Sequence, residues 1–326
     1  RTARRPRPGL GRASPGKGSF CPARKHPRLP VQRPSATAVT APVGLLRDAA
    51  ALFKLRLASL VVFSAGLGYW MGSPAGALDV GGLLVLLLAG TLVTGSSNAF
   101  NQVWELNTHT LMHRTAERPL VRGSMSVTPA LVLATAAGIA GLWMLWAAFG
   151  ALTAILGLLS LFMYVALYTP MKRLSPWAVF VGAFPGAFPP MLGHVAATGQ
   201  FGLTPGLLFA GQFMWQFPHF WAIAWVLHED YARAGFRLLP SGERDRSSAF
   251  LILLYTLFVI PVGMLPWVFD RVGTVALAVA VLAGLVMLVP AWKLYRTGDT
   301  RHARRLMFAS FLYLPAVQLA YVLDRS

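Results

Sequence analysis

Apolar residues in this chain do not alternate with polar ones. They run in blocks of about 20, the length that crosses a bilayer as a helix. The blocks lie at Leu57–Gly72, Val80–Phe100, Ala130–Phe149, Leu152–Leu167, Trp177–Ala197, Leu203–Leu227, Ala249–Phe269, Thr274–Trp292 and Leu306–Leu323. The pattern predicts an all-α integral membrane protein with about nine transmembrane helices.

The polar residues between the blocks are distributed unevenly. With the N-terminal segment and every second loop on one side, that side holds 27 of the 29 lysines and arginines, and only Arg271 and Arg325 fall opposite. Without the eleven that precede Asp48 the ratio is still 16 to 2. This places the N-terminus in the cytoplasm or its equivalent and the C-terminus outside. The outer loops (Ser73–Asp79, Gly150–Ala151, Thr198–Thr204 and Asp270–Gly273) are short, so the polar chemistry collects at the inner surface.

Composition agrees. The 326 residues are 56% hydrophobic and 12% charged, with mean hydropathy +0.57, against roughly 25% charged in soluble domains. The net charge of +18 would suit nucleic acid, but much of it sits in one segment, so no nucleic-acid partner is expected. Residues 1–47 are rich in Arg, Pro, Gly and Ser and have no apolar periodicity. They read as a disordered basic tail ahead of a polytopic domain over 48–326. Within the tail, Gly11–Lys17 has the outline of a phosphate-binding loop but lacks the following Ser or Thr and any preceding strand, so the match reads as accidental. The single cysteine, Cys21, offers no disulfide framework.

Four groups of residues carry candidate chemistry. Asn101, Glu105 and His109 are spaced four and four at the end of the second block, and arginines 114, 118 and 122 follow. On one helical face they would present oxygen and nitrogen ligands beside planar cations, as a metal-bound polyphosphate requires. A helix end with an arginine collar is the plain alternative. Lys172 and Arg173 suit phosphate oxygens or simply set topology. Gly182, Pro185, Gly186, Pro189 and Pro190 lie inside a span, where they admit either a ligand or a neighbouring helix. The segment Trp215–Gly235 places His219, ionisable within an apolar run, among Trp215, Phe217, Phe220 and Trp221, and it ends in Glu229 and Asp230. Those two acids form either a second metal cluster or an ordinary acidic loop.

Taken together these residues resemble the UbiA-type intramembrane prenyltransferases over about Lys54 to Tyr321. The likeness is carried first by Asn101, Glu105, Met112, Arg114, Thr115, Arg118, Pro119 and Leu120. It is closest to the haem-modifying members, through Asn101-Gln102, Tyr168-Thr169, Lys172-Arg173, Gly182…Pro189-Pro190, Trp215-Gln216, Pro218-His219-Phe220, Asp230-Tyr231, Gly235, Ala303-Arg304-Arg305-Leu306 and Tyr313-Leu314-Pro315.

The resemblance implies helices bundled around a central apolar cavity and transfer of a farnesyl group from farnesyl diphosphate to a vinyl group of haem b. It implies Mg²⁺ held at Asn101, Glu105, His109 and Asp230, with Arg114, Arg118, Lys172 and Arg173 neutralising the departing diphosphate. It also implies haem held by His219 or His194 with Trp215 and Tyr168. The partners are then farnesyl diphosphate, haem b, the lipid bilayer, and haem A synthase or a terminal-oxidase assembly. The family pattern has Asp where this chain has His109 and Asn where it has Ala178. Imidazole is a poorer Mg²⁺ ligand than carboxylate.

Two other functions compete. One is prenylation of a quinone precursor or chlorophyll-type ring, against which the Tyr168–Arg173 and Pro218–Phe220 segments speak. The other is a non-catalytic haem-binding or transport protein, which leaves two inner acidic clusters and their arginines unexplained. The prolines of the tail spoil an amphipathic transit helix, which favours a bacterial plasma membrane over a mitochondrial inner membrane.

Overall fold

A computed structural model of the chain describes residues 42–325. The rest of the basic segment, including the Gly11–Lys17 loop and Cys21, lies outside the described residues. The boundary expected at residue 47 falls inside a helix, α1 (Pro42–Leu52), whose Asp48 and Leu52 are buried one turn apart. Leu52 packs with Ala99, Leu120, Met125, Ala130 and Ala134, and Asp48 forms an ion pair with Arg122.

Among the described residues nine long helices follow: α2 (Leu55–Gly72), α3 (Val80–Trp104), α4 (Val127–Phe149), α5 (Ala151–Met171), α6 (Ala178–Thr198), α7 (Leu203–Val226), α8 (Arg246–Val268), α9 (Thr274–Thr297) and α10 (Thr300–Leu323). Eight of them are long and apolar enough to cross a membrane, and their leucines, valines and tryptophans face outward in large numbers, as lipid contact allows. The remaining one, α7, carries Gln212, Gln216 and His219 in its interior.

Each of α2 to α9 packs on its successor, and α5 also reaches α3. Four inner helices close the arrangement, with α2 on α6, α6 on α7, α7 on α10, and α10 on α2. Small residues set these contacts. A Cβ on Gly68 would lie 2.0 Å from the Pro190 carbonyl oxygen, and one on Gly193 would lie 1.9 Å from that of Ala65. Only glycine lets the α2 and α6 backbones meet this closely.

The prolines of α6 leave carbonyls without helical donors, and other helices answer them. Pro190 cannot bond Gly186, whose oxygen accepts from Gln212 Nε2 at 2.6 Å, and the Pro185 oxygen freed by Pro189 accepts from Ser160 Oγ at 3.3 Å. Gln212 Oε1 in turn accepts from Ser64 Oγ and Gln318 Nε2, each at 2.7 Å. One glutamine thus ties together α2, α6, α7 and α10. Gly182 and Gly186 make room for the Tyr168 ring and the Gln216 amide. The neighbours they admit are protein side chains.

The two ends of the bundle differ. At one end Arg325 donates to the carbonyls of Trp70, Ser73 and Pro74, and Asp324 accepts from the Ala276 amide, closing the chain terminus onto the short loops. At the other end, where α3, α5 and α7 finish and α2 begins, the longer loops enclose a polar cavity.

Candidate active site at the polar mouth

The cavity, of about 140 Å³, is lined by Lys54, Asn101, Glu105, His109, Met112, Arg114, Arg118, Tyr164, Tyr168, Lys172, Tyr231, Phe236 and Leu238. Its first wall comes from the end of α3. That helix stops at Trp104 and a short turn, Leu106–His109, restarts it. The i→i−4 ladder nevertheless runs through the break, from Glu105 N to Asn101 O at 3.0 Å and from His109 N to Glu105 O at 2.8 Å. Asn101, Glu105 and His109 therefore remain on one face, as their spacing requires.

The Asn101 amide is held from both sides. Its Oδ1 accepts from Lys54 Nζ at 3.4 Å and its Nδ2 donates to Thr169 Oγ1 at 3.2 Å. Lys54 occupies the left-handed region (φ 50°) at the joint between α1 and α2. That joint is clamped to α3 by Gln102 Nε2, which donates to Leu52 O at 2.6 Å, and by Asn98 Nδ2, which donates to Phe53 O at 3.2 Å.

Glu105 is the one carboxylate in the lining. Lys172 Nζ lies 2.9 Å from its Oε1 and 3.1 Å from its Oε2, and His109 Nε2 lies 3.2 Å from Oε2. Burial alone would raise its pKa. The His109 hydrogen bond and the Lys172 ammonium outweigh burial and bring it to about 2. For His109 burial dominates, and Arg118 adds to it; its pKa falls to about 4, so the ring is neutral at neutral pH. Arg118 Nη1 lies 2.6 Å from His109 Nε2 and 3.0 Å from its Nδ1, and the same Nε2 lies 3.2 Å from Glu105 Oε2, so the ring sits between the guanidinium and the carboxylate. Both ring nitrogens are engaged in this way.

Arg114 crosses the Tyr231 ring, 5.5 Å from its centroid, and Lys172 lies 4.6 Å from that of Tyr168. Tyr164 and Tyr168, four residues apart, both reach the cavity, and residues 163–168 of α5 wind as a π-helix. Such stretches recur at functional sites. Four cations therefore face one carboxylate. Burial, then the neighbouring cations Arg118 and Lys172, pushes the Lys54 pKa well down, and burial does the same for Lys172. A polyanion entering the cavity would relieve both.

Other expected residues stand elsewhere. Asp230 does not line the cavity. Its Oδ1 accepts from the His113 amide at 3.2 Å and from Arg233 at 2.6 Å, while its buried Oδ2 has no partner. Glu229 is exposed and paired with Arg244. Among the described residues no group of three or more His, Cys, Asp or Glu side chains is placed to hold a metal. Arg173 is exposed and outside the lining, and Arg122 turns to Asp48.

His219 lies about 10 Å below the polar end of α7, at 1.5 Å per residue. Its ring stacks on Trp215, with centroids 4.4 Å apart, and its Nδ1 lies 2.8 Å from Ser310 Oγ. Ser310 donates its own hydrogen to Met307 O, so His219 Nδ1 carries the proton and Nε2 keeps a lone pair. His194 sits in the last turns of α6 beside Gly72, at the opposite end of the bundle.

Of the lining residues, Lys54 carries no spacing signal in the sequence, only a place near a helix end, and Tyr164 is marked only by its four-residue spacing from Tyr168.

The UbiA prenyltransferase family matches residues 60–314. A protoheme IX farnesyltransferase of Cytophaga hutchinsonii is 46% identical over 275 residues, covering 84% of this chain and 96% of that protein. A digeranylgeranylglyceryl phosphate synthase structure shares the fold with TM-score 0.72 at 15% identity, covering 86% of this chain and 98% of that one. A UbiA homologue from Archaeoglobus fulgidus bound to GPP and Mg²⁺ aligns with TM-score 0.61 at 14% identity, covering 84% and 99%. The chain is a multi-pass membrane protein and belongs to the UbiA prenyltransferase family.

Proposed function

We propose that this enzyme transfers the farnesyl group of farnesyl diphosphate to a vinyl group of haem b, giving haem O and diphosphate. The observation that carries the reading is the convergence of Lys54, Arg114, Arg118 and Lys172 on Glu105 and Asn101 at the mouth of an apolar bundle. The extensive identity with a protoheme IX farnesyltransferase selects the acceptor. The cavity is sized for a diphosphate head, which leaves the prenyl tail to the apolar helices.

In this reading the four cations bind the diphosphate and stabilise the charge that grows on it as the C–O bond breaks. Mg²⁺ suits one or two protein oxygens completed by substrate phosphates and water. Glu105 and Asn101 supply that number, so the residues fit it. Asp230, with an unpartnered Oδ2 one residue from the lining Tyr231, is the further candidate. When bound, Mg²⁺ supplies additional charge neutralisation to the leaving group. His109 acts by orienting Arg118 and Glu105. The tyrosines and Phe236 keep water from the allylic cation until the vinyl carbon attacks it. Water then captures the resulting cation beside the ring and loses a proton, which completes the hydroxyethyl-farnesyl group. His219, with Nδ1 fixed by Ser310, would have Nε2 available as a ligand to haem iron. Arg173 contributes at the rim, and His194 lies too far from the mouth to serve the same haem.

The charge distribution favours a mouth facing the cytoplasm or its equivalent, and the reading takes the membrane to be a bacterial plasma membrane. The test is incubation of the purified protein with haem b, farnesyl diphosphate and Mg²⁺, followed by mass spectrometry. The reading expects haem O with stoichiometric diphosphate. Diphosphate release with a quinone precursor and none with haem b would overturn the assigned acceptor.

A further inference from the structure

A second cavity lies away from the mouth, between the polar ends of α9 and α10. It is lined by Val286, Val289, Pro290, Lys293, His302, Arg305 and Ala309 and measures about 210 Å³. Its chemistry is layered along the helices. Lys293 and Arg305 stand exposed at the rim, and the valines, Pro290 and Ala309 lie one to two turns further into the bilayer. Val286 and Val289 are 60% and 55% exposed, so the cavity opens on the lipid-facing surface. Trp292 is half-exposed with Arg296 5.9 Å from its ring, and Arg246 lies 5.2 Å from the Tyr295 ring. Aromatic residues with cations at this level mark the membrane–water interface.

The charges here are not neutralised by protein. Among the described residues neither Lys293 nor Arg305 has an ion-pair partner, because the nearby Asp299 caps α10 and pairs with Arg301. His302 Nδ1 is buried and makes no hydrogen bond. Cations that only set topology need no cavity, and Arg301 and Arg304 of the same strip have none. The cavity is small, open to lipid and basic at one end, a shape that suits a charged headgroup with its chains on the apolar side. Basic cavities between transmembrane helices at the cytoplasmic face recognise anionic headgroups.

We infer that the ends of α9 and α10 form a binding site for an anionic phospholipid. Lys293, His302 and Arg305 hold its phosphate, and its acyl chains lie along Val286, Val289 and Ala309. The site is independent of the assigned reaction.

The test uses the full chain in nanodiscs of phosphatidylcholine containing a small fraction of phosphatidylglycerol, with retained lipid counted by native mass spectrometry after detergent extraction. The wild type should keep one phosphatidylglycerol at least tenfold in preference to phosphatidylcholine. The pair Lys293→Gln and Arg305→Gln should lose that preference, whereas Lys293→Arg with Arg305→Lys, and separately Arg304→Gln, should keep it. Monodisperse elution of each variant checks folding, and the wild-type lipid preference stands as a measurement that needs no variant. Equal retention in the glutamine pair, or equal retention of both lipids by the wild type, would overturn the site. So would full displacement of the lipid by inorganic phosphate or by haem b.

Discussion

Two buried polar regions of this protein solve opposite problems. In the seam between α2, α6, α7 and α10, the Gln212 amide meets Ser64, Gln318 and the Gly186 carbonyl. At the mouth, four cations share Glu105, and burial depresses the pKa of three of them. Hydrogen bonds between protein groups complete the seam. The mouth carries surplus positive charge that an anion would complete. Buried polarity in a membrane protein therefore has two meanings, and the local balance of donors, acceptors and charge separates them.

Substitutions can break this contrast from either side. The largest expected effect is at the mouth: Glu105→Gln should lower kcat by about 10²–10³, the scale of losing one electrostatic stabiliser, as measured by haem O formation at saturating substrates. Gly193→Val comes next. Its side chain would meet the Ala65 carbonyl, and overpacking of this kind costs about 1–3 kcal/mol. A lower thermal midpoint should show it, with correspondingly less folded protein. In the seam, Gln212→Leu leaves the Gly186 oxygen without its donor and should cost about 1–2 kcal/mol. The thermal midpoint should fall while KM for farnesyl diphosphate in the surviving enzyme is unchanged. A raised KM would mean that seam and mouth are coupled. His109→Asp should raise apparent Mg²⁺ affinity about tenfold, at the low end of changes around metal sites. Unchanged Mg²⁺ dependence would remove position 109 from the metal's surroundings. Smallest is Arg173→Gln, whose exposed side chain should alter kcat/KM by no more than about twofold, since exposed pairs are worth under about 1 kcal/mol.

Much of the fold was legible because lipid imposes a blunt rule: apolar runs of sufficient length become spanning helices. All nine runs correspond to long helices, and the loops with the chemistry share one end. Helix α1 was hidden because it is only 11 residues long and adjoins a basic segment. Asn101, Glu105 and His109 were legible because helical spacing converts directly into a shared face. Lys54 was not, because a single lysine near a helix end has no periodic signature. The π-helical winding of residues 163–168 is likewise invisible in residue types. Asp230 shows the limit in the other direction: its place beside Glu229 at the inner end of a span suggested a second acidic cluster, but the His113 amide and Arg233 hold one of its oxygens away from the lining.

The most direct test of the central claim is equilibrium binding of inorganic diphosphate in the presence of Mg²⁺, comparing wild type with Lys172→Met. The surplus-cation account predicts micromolar-range binding that weakens at least tenfold in the variant, about 1.4 kcal/mol. Equal affinities for the two proteins would contradict it.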